Sequence, residues 1–321
     1  MIAAVIVFYH PDLMQAQNLL SSLNRQVDGI IAVDNTPGSC PALARLVETC
    51  AIPNSYIPLW DNKGIGAAQN VGVQASIRCG CSHVLLLDQD SKPLAGMVRE
   101  LVAAESELVM AGKRVAAVGP RYVDEKTGDA SCAIHRGWLR VSRRKLDASS
   151  SAPVETDNLI ASGSIIRTST FQSVGAMRED LFMDFIDTEW GLRARSRGYE
   201  SHCVPGAVMM HSTGEAAINV LGKRFYLHND VRTYYKLRNA VYLLRLSTMD
   251  WRWRIYTLRW IPYYSLGSLW ASRNKLRSAR LLLTAVCDGL IGRLGPLLQD
   301  RVAADIGGNA RRDSLPLGEH R

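Results

Sequence analysis

The sequence lacks the marks of several protein classes. Its seven cysteines (Cys40, Cys50, Cys79, Cys81, Cys132, Cys203, Cys287) are an odd, scattered set without disulfide-framework spacing. Cys79 and Cys81 form the only close pair, and no second pair completes a zinc site. Reduced thiols in a cytoplasmic setting are therefore expected. No basic residue precedes the apolar stretch at residues 2–8, which reads as a strand and not as a signal peptide. The aromatic C-terminal region has no long hydrophobic run. Its longest uncharged stretch, residues 260–272, contains Pro262 and falls short of the roughly 20 apolar residues that a spanning helix needs. No nucleic-acid-binding module is recognisable, so no nucleic-acid partner is expected.

What is present is an ordinary globular composition, 47% apolar over 321 residues, enough for one large α/β domain with an appendage. The net charge of +8 is unevenly placed. From Gly222 onward 18 Lys/Arg stand against 7 Asp/Glu, whereas the preceding residues carry 20 against 23. The basicity thus belongs to the C-terminal third and points to a polyanionic or membrane-surface partner there.

Along the chain, strands and helices alternate. Residues 3–9, 30–33, 55–59 and 84–87 read as strands, and residues 13–24, 41–50 and a segment running to Arg78 read as helices. Further strands are expected at 115–118, 159–166 and 205–210, with a polar excursion at 124–153. Such alternation means a mostly parallel, doubly wound α/β sheet flanked by helices, with ligands at the carboxyl ends of its strands.

Asp88-Gln89-Asp90 ends the apolar run 84–87, and Pro93 forbids regular continuation. Residues two apart in extended chain point the same way, so both carboxylates can face one site. They are either solvated residues at a strand-to-loop junction or holders of a divalent metal and its phosphate. Asp34 ends the second strand in the same way. Asn62-x-Gly64-x-Gly66 opens a helix, which suits a phosphate or a sharp turn. It is not a dinucleotide fingerprint, because Gln69 stands at the third glycine position. The small residues within 159–166 suggest something packed close against the backbone. Downstream, Asp184-Phe185-Ile186-Asp187-Thr188-Glu189-Trp190 precedes a helix that ends at Gly198. Either acid, Asp184 or Asp187, could cap that helix. Alternatively, a carboxylate among aromatics could be a general base with a raised pKa. His211 follows the last strand, a position where metal ligation is credible.

In this order the motifs resemble the family-2 inverting glycosyltransferases of GT-A fold, and within them the bacterial rhamnosyltransferases that use dTDP-L-rhamnose. The likeness covers roughly residues 3–245 and is more specific as a set than any motif alone. It implies that Asp34 contacts the nucleoside base, that Asp90 binds the metal with Asp88 nearer the ribose, and that His211 adds a metal or diphosphate ligand. It also implies that Asp187 is the catalytic base. Tyr9, Asn35, Asn62, Gly64, Gly66, Asn70, Gln89 and Arg238 are expected on the nucleotide-sugar side, and Asp184, Glu189 and Trp190 on the acceptor side. Arg238, in Tyr234-Tyr235-Lys236-Leu237-Arg238-Asn239, could pair with the diphosphate or be a solvated helix residue. Many relatives carry a different second acid where Glu189 stands here, a departure shared with the rhamnosyltransferase branch.

The resemblance implies a Mg2+ or Mn2+ cofactor, a dTDP-L-rhamnose donor and a glycan or polyprenyl-diphosphate-linked glycan acceptor. The rival readings are a transferase using another nucleotide sugar and a non-catalytic GT-A-like module of a polysaccharide assembly complex. The expected domains are residues 1–221 for catalysis, 222–303 as a helical C-terminal region, and 304–321 as a disordered tail. In the helical region four Trp fall between 251 and 270, interleaved with Arg. That composition suits an interfacial segment on the inner face of the cytoplasmic membrane; packing onto the catalytic domain is the alternative.

Overall fold

The computed structural model describes residues 1–124, 132–136, 141–146, 150, 152–211, 217–220, 223–226 and 228–297. The expected disordered tail at 304–321 lies outside them, as does part of the polar excursion. The first half alternates β1 (Ile2–Phe8), α1 (Leu13–Leu23), β2 (Gly29–Asp34), α2 (Pro41–Glu48), β3 (Asn54–Pro58), α3 (Ile65–Arg78) and β4 (His83–Asp88). Then follow β5 (Lys92–Pro93), α4 (Met97–Met110), β6 (Val115–Asp124), the hairpin β7 (Cys132–Arg136) and β8 (Val141–Lys145), and β9 (Val154–Thr156). The chain continues through β10 (Ile165–Arg167), α5 (Thr168–Val174), a short 3-10 turn (Glu179–Leu181), α6 (Ile186–Ser196) and β11 (Glu200–His211). A second hairpin, β12 (Ala217–Val220) and β13 (Lys223–Tyr226), precedes α7 (Asp230–Leu243), α8 (Trp251–Ala271) and α9 (Lys275–Ile291).

The main sheet has the order β3-β2-β1-β4-β10-β6-β11-β5, with β9 also paired to β11. β1, β2, β3 and β4 are mutually parallel, and β6 and β11 share their direction across the reversed strand β10. The sheet is thus mostly parallel, but β10, β9 and β5 run the other way. Residues 159–166 do not form one strand. Gly163, at φ +78°, turns the chain so that its N–H reaches the Leu86 carbonyl, and only residues 165–167 pair as β10. A Cβ there would come within 2.8 Å of Pro120, which accounts for the small residues in that run.

Alternation along β1 sorts the core into two layers. Ala3, Val5 and Val7 pack with α3, α5 and α6, while Ala4, Ile6 and Phe8 pack with α1, α2 and α4. A third cluster joins α7 and α9 through Tyr234, Tyr235, Leu237 and Leu281, with Phe182 inserted into it. The helical C-terminal region therefore shares a core with the acidic loop before α6. The sheet's carboxyl edge carries Asp34 and Asp88, opposite Phe8 and Val7 of β1, and the ends of β6 and β11 lie at the same edge.

One buried ion pair braces the sheet's opposite edge. Glu105 of α4 accepts two hydrogen bonds from Arg167, one of them 2.8 Å, and His83 stands 3.6 Å away. Burial alone would raise the Glu105 carboxyl, but the nearby His83 ring and the Arg167 bonds outweigh it and hold the pKa down at about 2. Because the folded value lies below the unfolded one, this stabilisation is complete above about pH 4.5 and disappears as the pH falls through about 2. Glu105→Gln should cost on the order of 2 kcal/mol at pH 7. Its melting temperature should converge on that of the wild type as both are titrated into that acid range; a deficit independent of pH would contradict the linkage.

Candidate active site

At the carboxyl edge a cavity of about 440 Å³ opens between the catalytic sheet and the C-terminal helices. Its walls include Asp88, Asp184 and Asp187, Asn158 and residues 160–162, Arg232 and Lys236 of α7, and Trp253, Tyr256 and Trp260 of α8. Asp88 is anchored by its own N–H, which donates to Ser162 Oγ at 3.1 Å; Ser162 in turn bonds Ser91 at 2.6 Å. The chain turns directly after Asp88, with the Ser91 N–H on the Asp88 carbonyl. Asp88 therefore faces the cavity while Asp90 sits on the adjoining turn, outside its lining. Burial pushes the Asp88 carboxyl up to about 7; the Asp90 and Asp187 carboxylates add to the rise and Arg232 opposes it.

Asp187 lies in the first turn of α6. It does not cap the helix, and neither does Asp184: the cap position is Phe185, at φ +63°, with no side-chain cap bond. Asp187 Oδ1 accepts from the Thr188 N–H at 2.7 Å. Burial raises its carboxyl, the Thr188 N–H pulls it down, and Asp184 pushes it up again. Asp184 meets Arg232 Nε at 3.2 Å and Lys236 Nζ at 4.0 Å. Phe182, Asp184 and Phe185 all have φ near +60°, a left-handed conformation that non-glycine residues hold only when their surroundings enforce it.

Those surroundings are visible. Asn239, fully buried, donates to the carbonyls of Leu181, Met183 and Asp184 at 3.0, 2.7 and 2.9 Å. Arg238, also buried, donates to Leu181 and Gly295 carbonyls at 2.8 and 2.7 Å. From the other side the Ile65 N–H reaches the Phe182 carbonyl at 2.9 Å. Gly64, at φ +85°, allows this approach, since a Cβ there would lie 2.7 Å from the Phe182 oxygen.

Several expected site residues are thereby corrected. Arg238 is neither solvated nor able to meet a diphosphate, because its guanidinium is consumed by main-chain carbonyls and Asn239. Arg232 and Lys236, earlier on α7, are the cations at the cavity. Asp34 is fully buried and accepts from the Thr36 and Cys40 N–H groups and the Tyr56 hydroxyl, so in this structure it shapes its own loop and does not face the cavity. Asn70 ties α3 to Met177 and Glu179. Glu189 is buried in a two-point pair with Arg193, and Trp190 donates to the Gly175 carbonyl inside the core. Gly66 packs against the Arg178 carbonyl and not around an open anion cradle.

Others lie near the sheet's carboxyl edge. Asn35 and Asn62 bond each other at 3.0 Å and link the β2 loop to the glycine turn. Gln89 accepts from the Tyr9 N–H at 2.8 Å, and the Tyr9 ring stays exposed beside the turn of Asp90. His211 closes β11; its neighbour Met210 pairs with Lys92, two residues past Asp90. The His211 side chain lies outside the described residues. The cavity residues missed in the sequence, Arg232, Lys236, Tyr256 and Trp260, carry one legible signal, their i, i+4 spacing on a shared helix face.

If Arg238 supports the loop and not a ligand, Arg238→Ala should destabilise the fold by about 3 kcal/mol, as loss of a buried charged hydrogen-bonding group does. Chemical denaturation measures this. A variant of wild-type stability with weakened nucleotide binding would instead restore the diphosphate role.

No protein-family model matches the chain. It is 28% identical to dTDP-rhamnosyl transferase RfbF of Shigella flexneri over 296 residues, 92% of this chain and 97% of that protein. Among solved structures it resembles GalNAc-T7 with UDP, GalNAc and Mn2+, at TM-score 0.60 and 14% identity over 82% of this chain. This chain spans 51% of that one, about half its length. It also resembles residues 1–349 of S. aureus TarS in complex with UDP-GlcNAc, at TM-score 0.54 and 13% identity over 90% of this chain and 80% of that one. The chain has the GT-A fold of these glycosyltransferase structures and resembles the dTDP-rhamnosyl transferase of Shigella flexneri over nearly its whole length.

Proposed function

We propose that the protein transfers L-rhamnose from dTDP-L-rhamnose, with inversion, to a hydroxyl of a lipid-linked glycan in cell-surface polysaccharide synthesis. The observation that carries this reading is the half-buried Asp187 carboxylate on one wall of a cavity that also holds Asp88 and two cations. The rhamnosyl donor rests on the Shigella relative's name.

A divalent cation fits the donor edge. Asp88 and Asp90 are like charges crowded on one turn, and among the described residues no third metal-ligating side chain joins a cluster. One or two carboxylates plus diphosphate oxygens are the usual set for Mg2+. Asp90, with Asp88 and His211, would hold the ion, which would neutralise charge on the departing diphosphate. Arg232 and Lys236 supply protein-borne positive charge, shifting from Asp184 to phosphate oxygens when donor enters. Asp187 takes the proton from the acceptor hydroxyl as that oxygen attacks the anomeric carbon from the face opposite the diphosphate. Its raised pKa makes it a stronger base than a solvated carboxylate. A β-linked donor thereby yields an α-L-rhamnoside.

The outer faces of α8 and α9 expose Leu258, Leu266, Trp270, Leu276 and Leu283; Arg259, Lys275 and Arg280 are exposed on the same helices and Arg273 between them. No helix among the described residues is long and apolar enough to cross a membrane. This outer surface supports peripheral contact with an anionic membrane on the cytoplasmic side.

Asp187→Asn should lower transfer about 10³-fold while nucleotide binding persists, the loss expected for a missing general base. Transfer near the wild-type rate would refute the assignment, and would leave the non-catalytic module excluded as well. In flotation with vesicles containing phosphatidylglycerol, the full chain should float and Leu266→Glu/Trp270→Glu should stay at the bottom; equal flotation would rule out this face.

A further inference from the structure

The cavity has one wall that the transfer chemistry does not use. Tyr256 and Trp260 stand four residues apart on α8, both half-buried and both lining the cavity. Neither ring is loose. Tyr256 meets Trp253 edge-on at 5.5 Å, and Trp253 is itself pinned by its indole N–H to Asp157 at 3.2 Å. Trp260 stacks on Tyr264 at 4.5 Å and meets Phe185 edge-on at 5.8 Å. Phe185 belongs to the strained loop directly before Asp187, so the aromatic wall and the base are fixed relative to each other.

A second observation points to a ligand. Gln69 is 4% exposed and lines the same cavity, yet its Oε1 has no hydrogen-bond partner among the described residues. A buried amide oxygen left bare costs free energy unless a bound group donates to it. Rigid aromatic surface beside a lone buried acceptor suits a ring with C–H faces and hydroxyl edges. A polyprenyl chain has no donor for Gln69, and a phosphate has neither a donor nor an apolar face.

We propose that Tyr256, Trp260 and Gln69 form a subsite for the pyranose ring of the acceptor, which makes the acceptor glycosidic at the residue that receives the new bond. The rings take the C–H face, and Gln69 Oε1 accepts from a ring hydroxyl. A second hydroxyl is thereby presented to Asp187. Preorganised rings lower the entropic cost of holding the sugar. The C-terminal helices become the part of the chain that selects acceptors. The inference rests on the transferase reading of the same cavity, and the two can fail separately.

The test is saturation-transfer NMR on the full chain with a panel of methyl pyranosides, in the presence of dTDP and Mg2+. Irradiating aromatic protons should transfer saturation to the ring C–H protons of at least one glycoside. Trp260→Leu and Gln69→Leu should each weaken that binding about tenfold or more, the loss typical of an anchoring contact. Trp251→Ala, on the exposed side of the same helix, should bind as wild type. Stabilisation by dTDP reports whether each variant is folded. If dTDP binds and no glycoside in the panel takes up saturation, the subsite is wrong and the transferase reading stands. If Trp260→Leu binds the glycoside as wild type does, the subsite is likewise overturned. If a glycoside binds through Trp260 but no nucleotide binds, the subsite survives and the transferase reading falls. Should Trp260→Leu fail to fold, the transfer pattern in the wild type together with Gln69→Leu decides.

Discussion

The site depends on a backbone that does not hold its shape unaided. Phe182, Asp184 and Phe185 occupy left-handed φ values, a conformation that costs on the order of 1–3 kcal/mol at each such residue. Asn239 and Arg238 offset this by donating to the carbonyls of residues 181, 183 and 184 from below, while Gly64 lets Ile65 bind Phe182 from the side. The consequence is positional. The loop delivers Asp184 to the cations of α7 and starts α6 so that Asp187 faces the cavity. Because the clamp sits on α7, and α7 packs on α9 through a common core, the C-terminal helices are part of the active site's construction.

Electrostatics then divides the cavity. Asp88 and Asp187 share one side, where burial, helped by the Asp90 and Asp187 carboxylates, raises the Asp88 carboxyl, whereas Arg232 and Lys236 lie against Asp184 on the other. Like charges held at such spacing are tolerable only where something positive joins them. The proposed diphosphate with its divalent cation would meet both needs at once, the ion beside the carboxylates and the phosphate oxygens beside the α7 cations. Burial of Asp187 in the same space favours proton uptake from an incoming hydroxyl. In the proposed reaction, donor binding, charge neutralisation and proton transfer would all draw on this one arrangement of side chains.

Much of the fold was legible because burial writes itself into strands. Residues 3–8, 30–33 and 84–87 are unbroken apolar runs, and each ends at the sheet's carboxyl edge, two of them in an acid. Direction was not legible. Residues 159–166 look like one strand, yet a turn at Gly163 splits them and β10 runs against its neighbours, since pairing direction is decided by distant partners. Polar residues in recognisable motifs misled for a related reason. Asp34, Asn70 and Arg238 stand in the expected places but spend their hydrogen bonds on the chain itself, and only coordinates show which acceptors a donor has reached. The Trp and Arg residues of α8 were read as a membrane surface from composition. Spacing alone does not say that Trp253, Tyr256 and Trp260 turn inward while Trp251, Leu266 and Trp270 turn out.

The central claim, a cation-dependent site for a dTDP-linked deoxysugar, is tested most directly by thermal stabilisation of the full chain with nucleotide sugars. dTDP-L-rhamnose with Mg2+ or Mn2+ should raise the melting temperature, as a ligand at a hundred times its Kd stabilises by about 2.7 kcal/mol. UDP-GlcNAc, and dTDP-L-rhamnose in chelator, should raise it far less. Equal stabilisation with and without the cation, or a preference for a uridine donor, would contradict the claim.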